Sequence, residues 1–541
     1  MPVAMRNAAL GLLTCFTLGA CVQVHAGAEC GKGCNDNARG QLLDHHVTVK
    51  LGAAAFAKLL ESNPSGRRLA QIAGAPACGV EVVYFRYRTI GGAGEPTTAG
   101  GALMMPDGPS AACSGPRPLM LYAHGTTVYR NYNLADITQT DPGNRGGAGE
   151  GLAVAATYAA QGYIVVATNY AGYAGSDLPY HPYLNADQQS ADVIDSLRAA
   201  RLAMSDAKPE NGVRENGKLF ITGYSQGGFV ALATHRALQA ASVKVTASAP
   251  GSGPYALAAT ADALIEGDVN LGSTVFTTLT VTGYQRAYEN IYRKPGDFFE
   301  AAYAPGIENL LPTTQPLDTL FAQRKLPSTQ LFSSAPPAPR FASMTPPALT
   351  FASPPASQPL TPPALTPVFA GGFGDTNLVR NAYRLSLLED AAANPDGAFT
   401  NATAATAAMT PAANPAHPLR QAFKRNDLRN WLPRAPVLLC GGEADPTVFF
   451  FNARIEQAYW LNAKVPAGLT SVLDVDSAAT GPNDPYSPIK QGFANAKAAL
   501  ASQAVAGGAT DGGASAVLRS YHGGLVASFC MIAARAFFAN F

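Results

Sequence analysis

The chain is 541 residues long, enough to bury a large core, and it carries 38 Lys and Arg against 37 Asp and Glu with only 14% charged residues. No charge surplus exists to neutralise phosphates or acidic lipid, which argues against nucleic acid as a partner. A 47% hydrophobic share is ordinary for a globular protein, while 53 Gly and 41 Pro point to many turns and a loop-rich region.

In chain order, Arg6, the apolar run Ala8 to Ala20 and Val24-His25-Ala26 follow the plan of a signal peptide, so residues 1–26 predict export. The run is shorter than the roughly 20 residues that cross a bilayer, and no later segment reads as membrane-spanning. The expected location is secreted, extracellular or periplasmic. Leu18-Gly19-Ala20-Cys21 matches a bacterial lipobox, and the alternative is therefore an outer-membrane lipoprotein anchored through Cys21. Beyond Cys15 and Cys21 stand Cys30, Cys34, Cys78, Cys113, Cys440 and Cys530, an even set that permits three disulfides in an oxidising compartment. Cys30 and Cys34 have no matching downstream Cys or His pair, so the spacing argues against a zinc site.

Val80 to Ile90, Thr97 to Met105 and Pro118 to Ala123 read as strands. The periods then alternate: helix 151–161, strand Tyr163 to Asn169, helix Ala186 to Met204, strand Lys218 to Thr222, helix Gly227 to Ala240 and strand Lys244 to Ala249. Strands that are apolar on both faces, alternating with helices, predict a parallel sheet covered by helices. The rhythm stops after Ala249 and returns at Ala435 to Cys440, which makes 251–434 an insertion between two core parts, 27–250 and 435–541. Inside it, Pro336 to Pro367 hold eleven prolines and the repeat TPPALT at 345–350 and 361–366, a strap or loop that forms neither helix nor central strand. The last part offers a strand Val437 to Cys440, a helix Asn452 to Leu461, a strand Thr470 to Val475 and a loop-plus-helix excursion from Ser477 to Gly507. Ala516 to Ser520 then leads into a loop, Tyr521-His522-Gly523-Gly524, and a final helix ending at Phe541.

The chemistry centres on Ile221-Thr222-Gly223-Tyr224-Ser225-Gln226-Gly227-Gly228. A serine hydroxyl is a poor nucleophile at its ordinary pKa. Catalysis by it needs a base, a group to orient the base, and donors for the developing oxyanion. Here a strand precedes Ser225 and a helix follows it, the setting of a strand-to-helix nucleophile elbow, in which side chains at Gly223 and Gly227 would clash with the neighbouring strand and helix.

On these residues the chain resembles the α/β-hydrolase superfamily. The resemblance implies a mostly parallel eight-stranded sheet flanked by helices, here with a large inserted lid, and a triad in the order Ser, acid, His. Of eight histidines, His25, His45, His46, His124, His181 and His235 precede Ser225 or lie on its helix, and His417 precedes the acid strand, which leaves His522 as base. Gly441-Gly442-Glu443-Ala444-Asp445-Pro446 follows the Val437 strand, so Asp445 is the expected acid, with Glu443 its rival and Asp474 and Asp476 read as a solvated strand end. Gly442, Asp445 and Val448 match the G-x-x-D-x-x-V pattern common in the superfamily. The fold further implies an oxyanion hole from the N–H of Gln226 and, by similarity of His124-Gly125-Thr126-Thr127 to the H-G-x loop of lipases and esterases, the N–H of Thr126; His124 is then a prop of the loop.

Asn169-Tyr170-Ala171-Gly172-Tyr173-Ala174-Gly175-Ser176, His181-Pro182-Tyr183-Leu184 and Ser252-Gly253-Pro254-Tyr255 are similar to exported lipases of the secretory-lipase type. The resemblance spans residues 80–255 and 430–541. It implies an exported serine carboxylester hydrolase, a lipase or esterase acting on ester or lipid substrate with no metal or organic cofactor. The alternative is a secreted peptidase of the same fold, whose insertion would hold carboxylates for a substrate amine; Glu266, Asp268 and Glu289 are no denser there than acids elsewhere. A non-catalytic surface protein would lack a triad member, and none is missing. Cys440 and Cys530, near the acid and the base, either bridge or remain buried thiols.

Overall fold

The computed structural model describes residues 38–345, 363–399, 409–481 and 483–541. The expected signal peptide, the lipobox Cys21, Cys30 and Cys34, and the middle of the proline strap lie outside the described residues.

Nine strands form one sheet: β1 (Leu42–Leu51), β2 (Gly79–Ile90), β3 (Pro96–Asp107), β4 (Pro116–Ala123), β5 (Ile164–Thr168), β6 (Arg214–Tyr224), β7 (Ala247–Gly251), β8 (Val437–Gly441) and β9 (Thr470–Asp474). Their order is β1-β2-β3-β5-β4-β6-β7-β8-β9. β1, β2, β3 and β5 pair antiparallel, and every pairing from β5 through β4 to β9 is parallel. β5, β7 and β8 are buried at every residue, as expected for strands covered on both faces.

The sheet has one strand more than the eight expected. β1 reads LLDHHVTVKL, with charged and histidine side chains and mostly exposed or half-exposed positions, because it is an edge strand pairing only with β2. An edge needs no continuous apolar run, and inward or outward charges protect it from pairing with other chains. Its sequence therefore carried no buried-strand signal.

Helices Ala186–Ala207, Gln226–Ala240 and Ala527–Phe538 pack on the sheet. The first begins where Asn185 accepts the Gln188 N–H and Asp187 sits in the first turn, both favourable at a helix N-terminus. Between β7 and β8 the chain contributes no sheet strand among the described residues, and its helices Leu257–Glu266, Ser273–Tyr288, Asn381–Ala393 and Pro418–Asn426 share one apolar cluster with the core. Buried ion pairs fasten this segment: Arg420 reaches Asp262 at 2.6 Å and Asp390 at 2.8 Å, and Arg429 reaches Asp396 at 2.7 Å and Asp427 at 2.8 Å. Charges so deeply placed persist only when paired, and each arginine here has two carboxylates.

Two expectations about local structure are corrected. The described ends of the proline strap are helical turns, 3₁₀ at Pro339–Met344 and Pro363–Leu365 and α at Thr366–Ala370. Proline is tolerated there because the first turn of a helix has no use for its missing N–H. His522 does not lie in a loop: Ala514–Ser520, a π turn Tyr521–Val526 and Ala527–Phe538 run as one helix. Among the described residues this is the one helix long and apolar enough to cross a membrane, and 44% of its apolar window is buried inside the protein. Disulfides join Cys78 to Cys113 and Cys440 to Cys530, the second tying β8 to this last helix.

Candidate active site

Ser225 stands between β6 and the helix Gln226–Ala240 with φ 60° and ψ −124°, a left-handed conformation that an L-residue adopts only under constraint. The constraint is steric. A Cβ at Gly223 would lie 2.3 Å from Gly227 O, one at Gly227 would lie 1.9 Å from Ala123 O, and one at Gly228 would lie 2.3 Å from Gly251 O. The elbow is thus wedged between β4, its own helix and the end of β7, and Ser225 is left 8% exposed at the C-terminal ends of the parallel strands. Open α/β sheets present their reactive groups at that edge.

Asp445 follows β8 and is fully buried. Its Oδ1 accepts the N–H groups of Thr447 at 2.9 Å and Val448 at 3.1 Å, and its Oδ2 lies 2.7 Å from His522 Nδ1. A carboxylate only accepts, so Nδ1 carries the proton and Nε2 is the basic nitrogen. Nε2 is buried and finds no hydrogen-bond partner among the described residues, Ser225 included. Catalytic hydrogen bonds are often open until substrate arrives. The rival Glu443 faces outward to an ion pair with Arg454. Asp474 and Asp476, expected as a solvated strand end, instead brace the acid loop. Asp474 accepts the Glu443 N–H at 3.1 Å, and burial raises its carboxyl pKa. Asp476 takes the Tyr521 hydroxyl at 2.7 Å, and that phenol in turn receives the Ala444 N–H at 3.2 Å.

The expected oxyanion donors flank the serine. Gln226 is the first residue of its helix, where N–H groups have no partner within the helix. A Cβ on Gly125 would come within 3.8 Å of Ser225 Cβ, so the Thr126 loop lies against Ser225. Three contacts hold that loop: Thr126 Oγ1 is 2.8 Å from Tyr183 Oη, Gly125 N–H donates to Glu150 Oε1 at 3.1 Å, and Tyr122 donates to the same oxygen at 2.8 Å. His124 is buried among Tyr132, Tyr170 and Tyr173, and burial lowers its pKa, consistent with a prop. His181 is also buried and held neutral, its pKa lowered to about 3. Its Nδ1–H donates to Ala171 O at 2.8 Å, and its Nε2 accepts the Gln226 side-chain amide at 2.7 Å.

Ser225 and Gln226 open onto a cavity walled largely by the segment between β7 and β8 through residues such as Leu257, Leu264, Phe276, Val281, Phe332 and Phe423. No charged side chain lines it among the described residues. Tyr224, Tyr521, Glu150 and His181 were not singled out as site residues by sequence reasoning. Two of them neighbour the serine and histidine in sequence, yet nothing in their spacing says where a phenol reaches across the fold.

No family model and no curated protein matches this chain. Among solved structures, the rice cell wall degrading esterase LipA from Xanthomonas oryzae aligns with a TM-score of 0.59 at 27% identity, over 84% of this chain and 95% of that one. A ligand-bound form of it aligns with a TM-score of 0.58 at 27% identity and the same coverage. A hydrolase candidate from Legionella pneumophila aligns with a TM-score of 0.56 at 18% identity, over 80% of this chain and 91% of that one, a likeness of fold alone. The chain is therefore an α/β-hydrolase by fold, similar to an esterase of known structure.

Proposed function

We propose that the protein is an exported serine hydrolase that cleaves carboxylic esters through Ser225, His522 and Asp445. The observation that carries the reading is the buried His522–Asp445 pair at 2.7 Å beside a strained Ser225 that faces an apolar cavity. Ser225 Oγ attacks the ester carbonyl and His522 Nε2 takes its proton. Asp445 holds the Nδ1 proton and stabilises the imidazolium, while the N–H groups of Gln226 and Thr126 receive the oxyanion. His522 returns the proton to the departing alcohol, and water then hydrolyses the acyl-enzyme by the same steps in reverse.

The segment 251–434 acts as a lid or cap that supplies the acyl-side wall. A cavity without charged lining favours an ester with an apolar acyl group over a peptide whose amine would need a carboxylate. Export, with residues 1–26 as the signal peptide, accords with two disulfides, which persist in oxidising compartments, and with likeness to an esterase described as degrading rice cell wall. Whether Cys21 carries a lipid is tested by intact mass of the mature protein.

Ser225→Ala is expected to remove about six decades of kcat on p-nitrophenyl esters, as triad knockouts do in other serine hydrolases. Purified S225A retaining more than a few per cent of wild-type turnover would overturn the assignment. Aminoacyl anilides serve as the peptidase control, and their preferential cleavage would favour the peptidase reading.

A further inference from the structure

A tyrosine precedes both the elbow serine and the histidine, in Tyr224-Ser225 and Tyr521-His522. Tyr224 is 6% exposed, and its ring centroid lies 4.9 Å from that of the His522 imidazole. Its hydroxyl donates to the His522 carbonyl oxygen at 2.6 Å and lies 3.3 Å from His522 Nδ1. A phenol has one proton to give, so the short bond goes to the carbonyl and the Nδ1–H can only share its proton with this oxygen as well as with Asp445.

The carbonyl that Tyr224 holds belongs to the π turn. It also receives the N–H of Ala527, five residues on, which is the bond that defines the turn as π rather than α. Were the turn to relax to α register, that bond would come from Val526, and each residue of slippage swings a side chain by about 100° around the axis. The imidazole would leave Asp445. Gly523 and Gly524 make such slippage inexpensive, because glycine holds no strong helical preference and a side chain at Gly523 would meet nothing within 4 Å. Some group outside the helix must therefore fix the register.

We propose that the Tyr224 hydroxyl is that group: a positioning residue that locks the His522 carbonyl in the π turn and so keeps the base on Asp445 and in step with the neighbouring nucleophile. The inference rests on the serine-hydrolase reading above. Tyr224 touches neither substrate nor the reacting atoms in this role; it acts through His522. Because it is bonded to Ser225 through one peptide link, the same contact couples the elbow to the turn that carries the base. Tyr521, one residue before His522, ties the turn to the acid loop from the other side through Ala444 and Asp476.

The test compares wild-type protein with Y224F, which keeps the ring and deletes only the hydroxyl, using p-nitrophenyl ester turnover, the rate of fluorophosphonate labelling of Ser225, and thermal unfolding. The expected result is a fall in kcat of about 100-fold, the cost of a misplaced catalytic group, with KM within about 2-fold and labelling slowed by the same factor as turnover. A folded Y224F that turns over within about 3-fold of wild type, or that loses only in KM, overturns the proposal. Deletion of Gly523 gives a second readout that does not depend on Y224F folding: shortening the π turn is expected to abolish labelling at least as far, and labelling within about 3-fold of wild type overturns the register lock. Wild-type protein that neither hydrolyses esters nor labels would sink the serine-hydrolase reading itself, a failure distinct from that of the tyrosine.

Discussion

At the residue scale, the acid assignment turns on which carboxylate faces inward. Glu443 and Asp445 are two residues apart after the same strand, and spacing alone keeps both open; burial separates them. Asp445 accepts two backbone N–H groups and the imidazole, whereas Glu443 pairs with Arg454 at the surface. Asp445→Asn is expected to cost about four decades of kcat, because the amide's donor group stabilises the wrong imidazole tautomer. Glu443→Gln is expected to stay within about 3-fold, since an exposed ion pair contributes at most about 1 kcal/mol. Steady-state turnover of one ester by the two variants checks the pair, and a reversed order would move the acid to Glu443.

At the element scale, the elbow and the last helix decide how precisely Ser225 and His522, the proposed nucleophile and base, are placed. Gly227→Ala places a methyl 1.9 Å from the Ala123 carbonyl oxygen, backbone against backbone with no flexible side chain to yield. Overpacking of this kind is expected to cost about 3 kcal/mol or more, read as a lowered denaturant midpoint or lost soluble expression. The Cys440–Cys530 disulfide closes 90 residues and fastens β8, which leads to Asp445, to the helix that carries His522. Cys78–Cys113 closes 35. In the chain-entropy account the longer loop contributes about 1 kcal/mol more, so a C440A/C530A variant is expected to be destabilised more than C78A/C113A in chemical denaturation. Of the two, only Cys440–Cys530 joins the strand before Asp445 to the helix of His522.

At the scale of the whole molecule, the segment between β7 and β8 supplies most of the apolar wall of the cavity at Ser225, which the proposed function makes the acyl-binding surface. Ala261→Phe projects a ring into that cavity from the helix Leu257–Glu266. It is expected to lower kcat/KM for long-chain p-nitrophenyl esters by about 10-fold or more while sparing the acetate, since each methylene excluded from an apolar site forfeits about 0.8 kcal/mol. An unchanged chain-length profile would show that the acyl chain lies elsewhere. The buried histidines add an acid-sensitive contribution to stability. Burial lowers the pKa of His181 and of His235 to about 3, against about 6.5 in an unfolded chain. Both are neutral in the fold, so their contribution is complete above pH 6.5 and is lost as pH falls from there toward 3, where the unfolded chain binds protons that the folded one refuses. At pH 5 the expected loss is about 2 kcal/mol for each relative to pH 7. Buried carboxyls with raised pKa values, Asp192 at about 7 and Asp262 at about 6, act in the opposite direction, so the check is a difference: between pH 7 and pH 5, His181→Gln should lose about 2 kcal/mol less stability than wild type in chemical denaturation.

Sequence by itself determined the parallel core and singled out Ser225 on its elbow and His522 as the proposed base. The physical cause is that strands buried on both faces must be continuously apolar, glycines must stand where backbones meet, and chain order leaves a single histidine downstream of the acid. It missed β1, whose edge position requires no apolar run, and it made His522's helix a loop because two glycines read as a break. Tertiary structure alone decided that Asp445 faces in and Glu443 out, that the cavity wall is uncharged, and that two phenols hold the His522 turn and the Asp445 loop together. Those outcomes depend on contacts between residues up to 298 positions apart, such as Tyr224 and His522, and local propensity carries no information about pairs so distant.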